Sequence, residues 1–501
     1  MMTPELVWDK TGDVISELRG FVERSAESSE RADLVERGIL DQLLSLGAAF
    51  MQAYFELVGD GDVGETWERN GSSLKREEDS RSRTYHSIFG RQEVVRRVYA
   101  IGSKQKAYAP LDARLGLPEG EHSYVLEDIL ERFCVKNPFG DGVQYLRDLL
   151  GRRVSKLTAE KLNQKFGQEI AAIRKQSQAK PLQDPEAELL VVSVDGKGVP
   201  MCGTVEQKRG LPETPMQKHL RKKREQKAEG RSKRKLPPGH GKTHKQMAWL
   251  SVVYSIDAFP RTADEVLDEL KGHRDKQPPR PINKHLRAQM TDYIEGERIN
   301  GQDMIFEDAA VQIRDRNPHS QKTVICLMDG QCSLWDRQAT FLPDAIPILD
   351  IFHVSEKLWE AAYCFHKQGS IEADKFVERN FRLLLEGKVG VVLRSLRAKL
   401  RGLKATAQEK LHDVIRYFNN NQQLMKYDEY LKQGYPIASG VIEGGCRHLV
   451  KDRMERTGMR WQIDGAQAML NTRTAYINGE WDDMIEERIQ RQQVSLYAQA
   501  A

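Results

Sequence analysis

Two short apolar runs, VVSVDG and VICLMDG, each close on an aspartate followed by glycine, at Asp195 and Asp329, and they restrict the fold more tightly than any other feature of the chain. A β-branched run of this kind, bounded by a turn signal, reads as a strand buried on both faces. ELLVVSVDGKGVPM is expected to be such a strand with Asp195 at its tip, and QMAWLSVVYSID a second strand beyond a basic segment. RTADEVLDELKG and MIFEDAAVQIRDR have helical apolar spacing. KTVICLMDGQCSLWD returns to a strand ending at Asp329, and AIPILDIFHVSEKLWEAAYCFH is a short strand passing into a helix. This alternation predicts an α/β fold on a mixed sheet. From Val354 to Lys432 the helical spacing runs far longer than a sheet connection needs, which predicts an inserted helical subdomain.

The 501 residues are enough for two or three domains, each with its own core. Hydrophobic residues at 39% and charged residues at 30% argue against wholesale disorder. The opening MMTPELVWDKTGDVISELRG carries no basic stretch followed by an apolar core, and no run approaches the roughly 18 apolar residues of a membrane span, so a cytoplasmic protein without membrane contact is expected. Six cysteines (Cys134, Cys202, Cys326, Cys332, Cys364, Cys446) lie scattered without a C-x-x-C pair, which excludes a disulfide scaffold or a standard zinc module.

In the first hundred residues LVERGILDQLLSLGAAFMQAYFELVG is helical, and TYHSIF and EVVRRVYA alternate around a glycine turn. Residues 1–105 are therefore read as a helical lobe with a hairpin, structural or oligomerising. Residues 106–180 are helical. Within them DGVQYLRDLLGRRVSKLTAEKLNQKFG ends one helix near Gly151 and offers Ser155 or Thr158 as the cap of the next, with Glu160 near its positive end. That outline fits a DNA-reading helix-turn-helix, with Thr158 to Phe166 in a major groove and Arg152, Arg153 and Lys156 on phosphates. It fits a plain helical hairpin equally.

The formal net charge of +4 conceals a strong asymmetry. Between Lys218 and Lys245 there are twelve Lys/Arg against Glu225 and Glu229, 12 − 2 = +10, so the remainder sums to 4 − 10 = −6. This basic insert, 207–245, lies between the first two strands of the expected sheet. A charge run is usually a solvated loop. Beside a cluster of acids it points to phosphate contact by Lys218, Arg221, Lys222, Lys223, Arg224, Lys233, Arg234 and Lys235, sequence-tolerant and salt-dependent.

Strand ends hold side chains rigidly, so Asp195 and Asp329 on neighbouring strands would sit side by side. A third acid, Glu443, lies in YPIASGVIEGGCRHLVKDRMERTGMRW, where Ser439 is a candidate helix cap and Arg447 follows Glu443 by one turn. Three carboxylates suffice for two magnesium ions, with manganese as a substitute. Such a pair activates an attacking water or 3′-hydroxyl and stabilises the leaving oxygen of a phosphodiester. Asp350 is an alternative to Asp329 as the second ligand; Asp329 is preferred because it follows the longer strand and shares the Asp-Gly ending of Asp195. Lys451, Arg453, Arg456 and Arg460 could extend a basic surface, and Trp461 could stack on a base, although packing is the simpler reading.

VVSVDGKGVPM, MAWLSVVYSIDAFPRTADEV, VICLMDGQCSLW, ILDIFHVSEKLWEAA and above all ASGVIEGGCRHLVKDRMERTGMRW resemble bacterial insertion-sequence transposases of the ISKra group, relatives of the Mutator-like transposases, over about Tyr85 to Met484. The resemblance implies a ribonuclease-H-like catalytic fold with a helical insertion before the final acid, and a catalytic, metal-binding triad of Asp195, Asp329 and Glu443. The D-x-x-H of LDIFHVSE makes Asp350 and His353 auxiliary residues, beside which a helix-capping pair remains an open reading. Arg447 is best spaced to meet a scissile phosphate.

The expected architecture is thus an N-terminal lobe (1–105) and a helical, DNA-binding segment (106–180). A catalytic core follows over 181–357, interrupted by a helical insertion (358–434), resumed over 435–485 with Glu443, and trailed by a tail (486–501). The implied activity is magnesium-dependent cleavage and transfer of DNA strands at the terminal repeats of a mobile element, by a homo-oligomer that also binds target double-stranded DNA in the bacterial nucleoid. A structure-specific nuclease of the same fold without strand transfer, and a domesticated DNA-binding regulator, are the competing readings. PPGHGKTHK is not a phosphate-binding P-loop: Leu236 stands where its first glycine would be, and a basic run where its strand would be. His240 and His244 lack the glutamate of a zinc-protease helix.

Overall fold

Apolar residues at helical spacing fold the beginning of the chain into two long helices, α1 (Pro4–Glu27) and α2 (Ala32–Val58). The computed structural model describes residues 4–69, 72–101, 107–176, 184–211, 218, 219, 222, 244–273 and 276–497. The fold is mixed α/β and divides into two compact units, Met1–Lys175 with Gly479–Ala501, and Gln176–Asn478. Among the described residues no helix is long and apolar enough to cross a membrane.

In the first unit, β1 (Thr66–Arg69), β2 (Ser72–Arg76) and β5 (Tyr99–Ala100) form a three-stranded sheet, and β3 (Arg81–Ser87) and β4 (Gly90–Arg96) a separate hairpin. The expected hairpin matches β3 and β4; the polar sequences of β1 and β2, TWER and SSLKR, give no apolar signal. Four helices follow: α3 (Pro110–Arg114), α4 (Tyr124–Lys136), α5 (Phe139–Leu150) and α6 (Lys156–Gln176). Gly151 ends α5 in the left-handed conformation, φ 64°, and Ser155 Oγ accepts the Thr158 N–H at 3.0 Å to start α6. The C-terminal helix Trp481–Tyr497 belongs to this unit, although its sequence reads as the end of the catalytic core and a tail. Buried Arg488 fixes it, donating to Glu127 and Glu169 at 2.6 Å each, and Trp481 Nε1 donates to Asp128 at 2.7 Å.

The second unit is organised by a five-stranded sheet in the order β12-β11-β6-β7-β8. The apolar runs form β6 (Leu189–Met201), β7 (His244–Ile256), β11 (Thr323–Met328) and β12 (Ile346–Leu349). The edge strand β8 (Ile282–Met290), INKHLRAQM, is charged and buries only alternate residues, so no apolar run announces it. A small hairpin follows it, β9 (Asp292–Ile294) and β10 (Glu297–Ile299). β6 and β8 each run antiparallel to β7 between them, whereas β11 and β12 run parallel to β6.

Helices of this unit are α7 (Val205–Lys208), α8 (Ala263–Leu270), α9 (Gly301–Arg316) and α10 (Cys332–Phe341). One face of the sheet packs on α9 and α10: Val192, Val194, Cys326 and Met328 meet Ile305, Phe306, Ala309 and Leu334 in a dry core. Burial of such side chains stabilises by about 1.5–3 kcal/mol each. Because side chains alternate, Ser193 and Asp195 face the other side. α11 (Ile351–Ala362) follows β12 directly. The helical insertion comprises α12 (Ile371–Leu385), α13 (Val389–Ala398), α14 (Ala405–Asn421) and α15 (Tyr427–Lys432). The chain returns through α16 (Gly440–Cys446), a wide π-helical turn at Arg447–Lys451, and α17 (Ile463–Ile477).

Candidate active site

Asp195 is not at a strand tip. β6 continues six residues past it, because β7 pairs with every residue from Leu189 to Met201. The glycine that reads as a turn has a steric cause instead: a Cβ on Gly196 would lie 2.7 Å from the Trp249 ring and 2.8 Å from Met247 Cε. Asp195 is nevertheless beyond the parallel ladder on its other edge, which pairs Thr323 with Leu189 through Cys326 with Val192.

Continued by three residues, that ladder sets Asp329 level with Asp195. The ladder between β11 and β12 ends on Met328 with Leu349, and one residue further sets Asp350 level with Asp329. The register thus sets Asp195 in β6, Asp329 just past β11 and Asp350 just past β12 level with one another, and neighbouring strands lie about 4.8 Å apart. Burial pushes the Asp329 carboxyl above its ordinary range, and the charges of Asp195 and Asp350 push it further, against the Gln331 N–H and His353. Asp329 Oδ1 accepts the Gln331 N–H at 2.9 Å.

Asp350 is fully buried. Its Oδ2 accepts His353 Nδ1 at 2.7 Å and the His353 backbone N–H at 3.2 Å, which caps α11; its Oδ1 accepts the Ser439 N–H at 2.8 Å. Asp350 is thus both a helix cap and a tie between α11 and the approach to α16. The hydrogen bond that His353 donates to Asp350, with the charges of Asp350 and Asp329, raises the His353 pKa to about 9 against its partial burial. At neutral pH His353 is an imidazolium set against the carboxylate row.

Ser439 occupies the N-cap position of α16, but its hydroxyl makes no cap bond; it donates to Glu443 Oε1 at 3.2 Å. Glu443 is exposed. One turn on, Cys446 Sγ donates to Asp195 Oδ2 at 3.4 Å, and burial followed by the charges of Asp195 and Glu443 pushes its thiol up. α16 thereby carries both Glu443 and a buried thiol that is bonded to Asp195. Among the described residues no three His, Cys, Asp or Glu side chains are gathered as a ready metal cage. The hard oxygens of Asp195 and Asp329 suit magnesium, and a cation would offset both the burial of the Asp329 carboxylate, which chiefly raises its pKa, and its repulsion by Asp195 and Asp350.

Of the other residues singled out by sequence, Arg447 and Lys451 are exposed on the turn after α16, as is Arg460. Arg453 is the exception: it is wholly buried, its guanidinium 5.3 Å from the Trp461 ring centroid, and is no DNA contact. A basic run reads as a solvated face, yet this arginine packs inward. Trp461 also packs, its Nε1 donating to the Met454 carbonyl at 3.0 Å. Lys218 and Lys222 are exposed, whereas Arg221, Lys223, Arg224, Lys233, Arg234 and Lys235 lie outside the described residues, as does His240. Arg152 donates to the Leu150 carbonyl at 2.6 Å within the α5–α6 turn, and Arg153 and Lys156 are exposed.

Sequence gave no sign of Tyr417. From α14 it covers the loop after Asp329, where a Cβ on Gly330 would lie 2.3–2.7 Å from its ring and hydroxyl atoms. Burial, then Asp329 and Asp350, raises its phenol. No protein-family model matches the chain, and no curated protein matches it.

Proposed function

We propose that this chain is a DNA transposase of an insertion sequence, a DDE enzyme that cleaves the ends of its element and transfers the freed strands to target DNA. The observation that carries the reading is the level placement of Asp195, Asp329 and Asp350 by the register of three adjacent strands, with Cys446 of α16, the helix that also carries Glu443, bonded to Asp195. A mixed sheet followed by a helical insertion before the last acid agrees with the ribonuclease-H-like core that the sequence resemblance implies.

Asp195, Asp329 and Glu443 are the residues that would hold magnesium. When bound, paired magnesium ions activate the attacking oxygen and neutralise the leaving one. The chain's own groups do the rest. Asp350 holds His353 protonated and fixes the backbone at Ser439, whose hydroxyl orients Glu443. His353, a cation beside Asp329, offsets the carboxylate charge and is available to a phosphate oxygen. Exposed Arg447 and Lys451, with the basic 207–245 segment, are suited to the DNA backbone. Both hydrolysis and strand transfer are displacements at phosphorus, so one carboxylate set serves both.

The test is magnesium-dependent cleavage of a labelled element-end duplex by the wild type and by Asp329→Asn. Cleavage by the wild type alone, leaving a 3′-hydroxyl that becomes joined to a second duplex, supports the reading. Cleavage without any joined product would instead indicate a nuclease.

A further inference from the structure

The hairpin of α1 and α2 carries large apolar side chains that the described residues leave nearly half exposed. On α1 these are Trp8, Ile15 and Val22, seven residues apart, and therefore on one stripe of the helix. On α2 they are Leu40, Leu43, Phe50, Tyr54 and Leu57, which follow the three-and-four spacing of a heptad seam; Gly47 takes the remaining step, close under the Phe89 ring of the β3–β4 turn. All eight are between 41% and 49% exposed. Trp8 meets Phe50 with ring centroids 5.9 Å apart, so the two stripes join into one surface.

We propose that this surface is a dimer interface on which the hairpin of a second copy packs to close a four-helix bundle. Large apolar patches on a folded chain mark interaction surfaces. Half-exposed side chains of this size and number offer on the order of 800 Å² per copy, the area a stable two-protein interface uses. The charge of the hairpin narrows the partner. Residues 4–58 carry five Lys/Arg and eleven Asp/Glu, 5 − 11 = −6. Phosphate-bearing surfaces, whether DNA or an anionic membrane, would be repelled by it. A seam of matching periodicity on both helices is self-complementary, the condition for a twofold interface. Large aromatic and aliphatic anchors, Trp8, Phe50 and Tyr54, sit where that interface would be centred.

The purpose of such a dimer, holding two element ends together, rests on the transposase reading, but its existence does not. The test is sedimentation of the full chain without DNA at micromolar concentration, for the wild type, Leu43→Glu, Phe50→Glu, and Leu157→Glu as a control at an exposed leucine on α6. The wild type and the control are expected to be dimers that persist at high salt, where the acidic repulsion is screened. The two hairpin variants are expected to be monomers with unchanged circular dichroism, their self-association weakened roughly 30-fold or more. A monomeric wild type, a dimer that forms only on DNA, or hairpin variants that remain dimeric would each overturn the proposal. Because no cleavage is measured, either result leaves the catalytic reading to its own test.

Discussion

Asp350 and His353 face one another at 2.7 Å, carboxylate oxygen to ring Nδ1, with the carboxylate wholly buried and the ring half-exposed at the edge of the carboxylate row. The folded pKa of His353, about 9, is raised above the ordinary 6.5. A group raised in this way contributes stability that is complete below the unfolded value and is lost as pH climbs through the folded one. The stability difference between the wild type and His353→Ala should therefore be full at pH 6 and shrink between about pH 6.5 and 9. Denaturant melts at several pH values measure it, and NMR titration of His353 is the direct check. A ring titrating at its ordinary value would refute the pairing.

Asp350→Ala removes the α11 cap, the tie to Ser439 and the partner of a cation at once. It is expected to cost on the order of 3 kcal/mol. It should also lower the His353 pKa and reduce cleavage without removing a metal ligand. A stability change below about 1 kcal/mol would show that the buried carboxylate is not the tie described.

Asp329 has the opposite linkage. Its folded pKa is raised, so ionising it costs the folded state stability, a cost absent below the unfolded value and complete above the folded one. At neutral pH Asp329→Asn should therefore raise the melting temperature of the metal-free protein. Magnesium should raise that of the wild type through the same relief and leave the variant nearly unmoved. Calorimetric scans with magnesium and with chelator distinguish these cases. Equal magnesium shifts in both proteins would remove Asp329 from the metal site.

Much of the sheet was legible because β6, β7, β11 and β12 are apolar runs that only a buried strand explains. β8 was not, because an edge strand with Lys284, His285 and Arg287 does not differ locally from a loop. Within the candidate site, the matched Asp-Gly runs already place Asp195 and Asp329 on neighbouring strands, whereas their level alignment follows from the strand register, which no local pattern encodes. The Asp-Gly signature predicts a pair of strand ends, which holds for Asp329 but fails for Asp195. Cys446 and Tyr417 reach the site from elements 251 and 88 residues away from their respective aspartates, Asp195 and Asp329, beyond any sequence-local signal.

The two glycines beside the aspartates make separate steric predictions. Gly330→Ala drives a methyl into the Tyr417 ring, and Gly196→Ala into Trp249; each should cost about 1–3 kcal/mol through overpacking. In a Tyr417→Ala background the Gly330→Ala penalty should largely vanish, because the residues interact directly. Urea melts of the four proteins in that cycle supply the measurement. An unchanged penalty would mean that Gly330 serves the backbone rather than the ring.

The basic segment is tested by salt rather than by stability. Neutralising Arg221, Lys222, Lys223 and Arg224 removes four cations that would displace counterions from a DNA backbone, so the slope of log affinity against log salt should flatten by up to roughly 3.6. Affinity should fall similarly for element-end and unrelated duplexes, since phosphates carry no sequence. Arg453→Met, by contrast, should leave the salt slope unchanged, because Arg453 is buried against Trp461. Fluorescence anisotropy over a salt series measures both. Selective loss of end preference in the four-residue variant would assign these residues to base recognition, and a shallower slope in Arg453→Met would contradict its interior position.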